Sequence, residues 1–329
     1  MKKTLAVLLP LLLMAAALHL WIGTSSVGFG GDKELFGRLL TEIRLPRLLT
    51  AVAAGASMAI AGVLLQSFFR NPMADPFVLG IHSGAAFGAA AVTLIFRYGA
   101  VVLGGGVLMF GTTAAAFVGA LTVTAAVSAL SVRLKSNSAL LVAGLMIGYG
   151  VNALISLMIF FSSPQEWENY FSWSFASFSA ANLSQSLFLL VVCAVTLIYS
   201  IRIAKDLNLY RLSDDYAASS GVNVKRLRFG LVAVSSLPAA AVTAFCGPIA
   251  FVGIAAPRLI IDLFHIDDYR KLIPTAAVAG ALLTLTADLT AKIPALFSSA
   301  LPLNPVLSLF GLPFIFVALL GDRSGGRYD

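Results

Sequence analysis

Apolar residues in this chain come in long blocks, almost free of charge, separated by short polar connections. The blocks lie at about 4–22, 48–66, 77–96, 106–131, 138–162, 184–202, 229–246, 249–264, 273–291 and 305–321. Most run for about 20 residues, the length an α-helix needs to cross the hydrocarbon core of a bilayer. A membrane barrel would alternate lipid-facing and lumen-facing residue types along each strand, whereas these runs are continuous. The pattern predicts an all-α polytopic membrane protein of about ten transmembrane helices, in a single transmembrane domain over residues 1–329. The first block has a second reading. Lys2 and Lys3, an apolar core and Ala15-Ala16-Ala17 fit a signal peptide, but the run continues through Trp21 and Ile22, which favours a retained first span.

Composition agrees with lipid as the solvent. Hydrophobic residues make up 59% of the chain and charged residues 11%, against about 25% charged in soluble domains. That balance excludes disorder, a disulfide-stapled secreted module and an ordinary water-soluble enzyme. The net charge of +7 is spread over short connections, which points to a membrane surface rather than nucleic acid. With the amino terminus inside, fifteen of the 22 Lys and Arg residues fall on the cytoplasmic side. The positive-inside bias then places both termini in the cytoplasm. Cys193 and Cys246 sit in apolar runs and match no metal spacing.

Two connections stand out. Residues 203–228 form a longer cytoplasmic segment in which Ser213, ahead of Asp214 and Asp215, can cap a short helix through Ser220 that Gly221 stops. It reads either as a solvated linker or as a surface for a cytoplasmic partner. The extracytoplasmic segment 163–183 carries Trp167, Tyr170, Phe171, Trp173, Phe175 and Phe178 among Ser and Asn, the pattern of an interfacial helix.

Catalytic chemistry finds little support. No lysine follows a glycine, so a Gly-Lys-Ser/Thr phosphate loop is missing. His19, His82 and His265 lie far apart in the sequence, and only His265 has carboxylates nearby, at Asp262 and Asp268. What the chain offers instead is close packing and discontinuity. Ala53-Ala-Gly-Ala-Ser57, Gly62, Gly80, Ser83-Gly84-Ala85 and Gly88 allow helices to approach. Pro238, Pro248, Pro257, Pro274, Pro294 and Pro313 predict broken later spans, a feature common in transporters. Arg258 with Asp262, and Asp288 with Lys292, stand four apart and can pair on one helix face. Pairing is the structural reading; a proton relay is the functional one, and it needs an acid without a basic neighbour.

Arg44-Leu-Pro-Arg47 opens a span, followed by Gly62 to Gln66, Asn71-Pro-Met-Ala-Asp-Pro76 and Leu79-Gly-Ile81 with Ser83-Gly-Ala85. Further on stand Asn137-Ser138, Leu140-Leu-Val-Ala-Gly144, the Ala217 to Arg228 loop, Gly247-Pro-Ile-Ala-Phe-Val-Gly-Ile-Ala-Ala-Pro257, Ala287-Asp288 and Gly311-Leu-Pro-Phe314. In this order and spacing, from about 38 to 320, the chain resembles the FecCD family. Those are permease subunits of ATP-driven type II importers for ferric siderophores, haem and vitamin B12.

The resemblance implies a ten-span inner-membrane permease without cofactor or enzymatic activity of its own. Its implied partners are a second permease subunit, in a homodimer or a heterodimer, two cytoplasmic ATP-binding subunits that hold ATP and Mg, and an extracytoplasmic substrate-binding protein. Leu212, Ser213, Asp214, Ala217, Ser220, Gly221 and Val222 match the coupling helix that contacts the ATPase, with Ser213, Ala217 and Gly221 small enough for close contact. Arg44, Arg47 and Lys292 match basic positions that dock acidic residues of the binding protein; headgroup anchoring, or pairing of Lys292 with Asp288, is the plainer reading. Asn71, Met73, Asn137 and Ser138 match the cytoplasmic gate, where ordinary loop capping is the alternative. Two departures lie near the implied path: Ile261 and Asp262 follow Arg258 where a second basic residue is usual, and Leu301-Pro-Leu-Asn304 replaces a common Leu-Pro-Val-Gly. An ion-gradient transporter, with Asp262 or Asp288 as the titrating acid, and a membrane scaffold using the 203–228 loop are the competing functions.

Overall fold

A computed structural model describes residues 2–22, 33–95, 105–134, 136–293 and 301–321. Among them every regular element is helical. In chain order these are α1 (Lys2–Trp21), α2 (Lys33–Leu39), a π-helical turn (Leu40–Arg44), α3 (Leu45–Phe69), a 3-10 turn (Pro76–Leu79) and α4 (Ile81–Ala90) with a π-helical extension (Ala91–Ile95). Then come α5 (Gly105–Arg133), α6 (Asn137–Phe160), α7 (Pro164–Ser174), a 3-10 turn (Phe178–Ala180), α8 (Leu183–Arg202), α9 (Ala204–Tyr210) and α10 (Asp214–Ser219). The last are α11 (Val224–Cys246), α12 (Val252–Phe264), α13 (Tyr269–Ala291) and α14 (Leu303–Gly321).

Seven helical stretches among the described residues are long and apolar enough to cross a membrane, and Ile81–Leu94 and Leu303–Pro313 are shorter apolar pieces. The expected spans at 77–96 and 249–264 are the ones that differ. The first is assembled from a 3-10 turn, α4 and a π-helical extension. The second shrinks to the 13 residues of α12, about 20 Å, because residues 247–251 run as irregular backbone with Phe251 in the left-handed region (φ 69°). The expected proline breaks are mostly absent: α11, α12, α13 and α14 continue through Pro238, Pro257, Pro274 and Pro313. Only Pro248 sits in a gap between helices, and Pro294 lies outside the described residues. Neighbouring helices and hydroxyl side chains re-satisfy a freed carbonyl inside a membrane bundle, so proline need not end a helix there.

α3 is the axis of the bundle. In the most apolar 18 residues of Phe36–Phe69, 83% of positions are buried, against 17% in those of Ser138–Phe160 on the periphery. α13, α8, α11 and α12 all pack on α3, while α4 packs on α5. Small residues set these distances. A Cβ on Gly62 would lie 1.9 Å from the Gly253 carbonyl oxygen, and one on Gly88 would lie 2.0 Å from that of Ala115. Backbone therefore meets backbone at α3–α12 and α4–α5, where van der Waals contact substitutes for a hydrophobic driving force that lipid cannot supply.

Candidate functional site

The polar side chains gather at two opposite ends of α3. At its carboxyl end, Arg70 closes the helix in the left-handed conformation (φ 49°). Its Nη2 donates to the Tyr210 carbonyl at 2.9 Å and to Asp214 Oδ1, and its guanidinium stacks 5.0 Å from the centre of the Tyr210 ring. Arg228, early in α11, lies 3.7 Å from Asp214 Oδ2 and stacks on Phe68. One carboxylate at the start of α10 thus ties that helix to both α3 and α11. A second tie runs to α13: Asn208 Nδ2 donates to Asp268 Oδ1 at 2.8 Å, and Arg211 Nη1 donates to the Asp267 carbonyl at 3.0 Å. The Asn208 bond is the main cause holding the Asp268 carboxyl below its ordinary range.

α10 forms for local reasons. The Ser213 hydroxyl accepts from the Tyr216 N–H at 2.9 Å, Asp214 and Asp215 occupy the positive end of the helix dipole, and Gly221 turns the chain at φ 89°. The Val222 N–H then returns to the Ala217 carbonyl at 3.0 Å. Ala217 is fully buried, which corrects the expectation that it contacts a partner; its small size lets α10 lie down on the chain's own helices. The outward face is instead Leu212 and Tyr216, 64% and 49% exposed, with Ser220 and Gly221 beside them. Tyr216 carries no motif of its own, and only its spacing of four from Leu212 marks it as sharing that face.

The expected gate residues lie at the same end. Asn71 Oδ1 accepts from the Met73 N–H at 2.9 Å, so the plainer loop-capping role is filled within the chain. Asn71 is exposed and borders a cavity of about 130 Å³ with Gln66, Arg70, Arg211 and Tyr269. Asn137 and Ser138 open α6 behind the cap Ser136, with Ser138 exposed.

At the opposite end the expected docking cations turn inward. Asp288, 1% exposed, receives the Arg47 guanidinium edge-on, Nη2 to Oδ1 at 2.7 Å and Nε to Oδ2 at 2.9 Å. His19 Nε2 lies 2.7 Å from Oδ2, and Lys292 Nζ lies 3.3 Å from Oδ2 and 2.8 Å from His19 Nε2. Arg44, also buried, donates to the Leu20 carbonyl at 2.9 Å and stacks on Phe36. These residues therefore do not form an open basic rim. The cluster binds α1, α3 and α13 together, because a buried carboxylate must be matched by donors. Arg47 alone reaches outward, into a pocket of about 270 Å³ shared with Ser172, Ser177, Ser179 and Leu303. His19 was not legible as a partner, being 269 residues from Asp288. The pairing of Lys292 with Asp288 and of Arg258 with Asp262 (2.8 Å) follows from spacing.

The pattern of the FecCD transport family matches residues 4–321. The chain belongs to the FecCD transport family. It is 33% identical to the hemin transport system permease protein HmuU of Yersinia pestis, over 86% of this chain and 83% of that protein. It is also 33% identical to the vitamin B12 import system permease protein BtuC of Escherichia coli O127:H6, over 96% and 93%. Among solved structures, a metal-chelate type ABC transporter in an inward-facing conformation superposes with a TM-score of 0.85 at 28% identity, covering 98% of this chain and all of the other. As a FecCD protein, this chain is the multi-pass inner-membrane permease subunit of an ABC importer.

Proposed function

We propose that this chain moves a metal chelate, a ferric siderophore or haem, across the inner membrane by alternating access, with vitamin B12 as the second candidate cargo. The observation that carries the reading is the anchoring of α10 through Asp214 to Arg70 and Arg228, and of α9 through Asn208 to Asp268. A helix pair wired to α3, α11 and α13 transmits a push from outside the bilayer into three spans at once. Leu212, Ser213, Asp214, Ser220, Gly221 and Val222 form the face that meets a cytoplasmic ATPase, and ATP with Mg acts in that partner. Two copies of this permease enclose the path, and Asn71, Met73, Asn137 and Ser138 seal it from the cytoplasm. At the other end an extracytoplasmic binding protein docks over Arg47, which Arg44 and Lys292 support from within. Ten membrane crossings with both termini inside accommodate the seven long helices, the two shorter pieces and α12. The pairing of both Asp262 and Asp288 with basic side chains speaks against ion-gradient transport.

Reconstitution in proteoliposomes tests this. Uptake of a ferric siderophore, haem or vitamin B12 is expected only with the ATPase, ATP and the binding protein present. Uptake driven by a proton or sodium gradient without them would refute the reading.

A further inference from the structure

α8 and α11 frame a site whose polar residues the transport reading does not use, although Val222 of the proposed ATPase face lies at its edge. The outward residues of α8 are Leu183, Leu187, Val191, Val195, Ile198 and Ile201, spaced three or four apart and each 44–60% exposed. In a membrane-embedded chain such a purely apolar stripe faces acyl chains. At 20 residues α8 is about 30 Å long, the thickness of the hydrocarbon core, so Arg202 at its last position emerges at a bilayer surface. Directly there, a pocket of about 380 Å³ opens between the end of α8 and the start of α11, lined by Tyr199, Arg202, Asp206, Asn223 and Arg226. Arg202 and Arg226 are exposed, and neither forms an ion pair among the described residues. Asn223 Oδ1 accepts from the Arg226 N–H at 3.0 Å, which leaves its amide nitrogen to donate. The Tyr199 hydroxyl is seated over Gly230, where a Cβ would come within 1.9 Å of it, so glycine at that position fixes the ring beside the pocket.

The charge pattern selects the ligand. Two guanidiniums and one amide donor against a single carboxylate leave the pocket with one net positive charge, suited to a phosphodiester. Asp206 can accept from hydroxyls next to that phosphate. Basic pockets between spans at a membrane surface are the physical form of anionic lipid recognition. We propose that this pocket binds the head group of an anionic phospholipid whose acyl chains run along the α8 stripe. This rests on the chain spanning the membrane and not on its cargo or its energy source.

Native mass spectrometry of the full-length protein released from nanodiscs of phosphatidylglycerol mixed with phosphatidylcholine tests it. Phosphatidylglycerol is expected to be retained over phosphatidylcholine, and Arg202→Gln with Arg226→Gln to lower that retention about tenfold. Arg270→Gln with Lys271→Gln, two exposed basic residues outside the pocket, is expected to leave it unchanged. Excess inorganic phosphate is expected not to displace the lipid, because the acyl chains contribute the rest of the binding. Equal retention of both lipids, an equal loss in both double variants, or displacement by phosphate would overturn the proposal. So would a pocket variant that keeps its lipid but loses its ATPase subunit, since the arginines would then be a protein contact.

Discussion

Asp288 accepts from His19, Arg47 and Lys292 while 1% exposed. Removing its charge strands Arg47 and Lys292 among apolar helices, and breaking one side of a buried pair costs about 3–5 kcal/mol. Asp288→Asn is therefore expected to lower the thermal unfolding midpoint of the purified protein sharply. A variant as stable as the parent would show that the cluster does not hold α1 to the bundle. Asp75 presents the reverse case. It caps the Pro76–Leu79 turn by accepting from the Phe77 N–H at 2.8 Å, but its other oxygen is buried without a partner among the described residues. Burial, opposed by the cap bond, raises its pKa to about 6 from 3.8. Between those values the folded state keeps a proton that the unfolded chain has released. Stability at this residue is thus fully present below about pH 4 and declines as pH rises to about 6. Asp75→Asn, which keeps the cap, is expected to stabilise the protein above pH 6 by up to about 3 kcal/mol and to do little at pH 4. Melting curves at the two pH values check this. At this scale the sequence showed the i,i+4 pairs, because helical spacing is local. It could not show His19 or Arg47 on Asp288, since those contacts close loops of 269 and 241 residues.

Most helices were readable as apolar runs, since only a helix satisfies its own backbone in lipid. Where the reading failed, at 77–96 and 249–264, backbone leaves helical geometry inside the apolar stretch, and hydropathy cannot distinguish a buried turn from a buried helix. The α3–α12 contact gives the sharpest test of an element. Gly62→Leu would drive a side chain into the Gly253 carbonyl, so misassembly or loss of several kcal/mol is expected. Gly150→Ala, where nothing among the described residues lies within 4 Å, is expected to be near neutral. Expression with monodispersity in detergent separates the two. At α10, Gly221 holds φ 89° in open space. Gly221→Val strains that turn by about 1–2 kcal/mol without any internal clash. It is expected to lower uptake per ATP hydrolysed while leaving binding-protein docking intact; unchanged coupling would count against this loop as the ATPase contact.

For the molecule as a whole, Arg70 is the joint through which α10 meets the bundle axis. Arg70→Gln is expected to leave the assembled ATPase hydrolysing ATP while uptake falls several-fold, measured as transported cargo per ATP in proteoliposomes. A proportional loss of both activities would mean that the variant simply fails to assemble. The general class was legible because composition and ordered motifs act over the entire chain. The burial of Arg44 and Lys292 and the capture of Arg47 by Asp288 were not, because a motif fixes which residue stands at a position and not which way its side chain points. α3 itself carries one more consequence. It runs 25 residues, about 37 Å, with Arg47 near its first turn and Arg70 just past its last, and no proline interrupts it after Pro46. An unjointed rod running between the two proposed docking surfaces can couple them, and linkage then requires that whatever factor one occupant imposes on the other be returned in equal measure. Titrating one occupant with and without the other then fixes the single factor by which each changes the other's affinity.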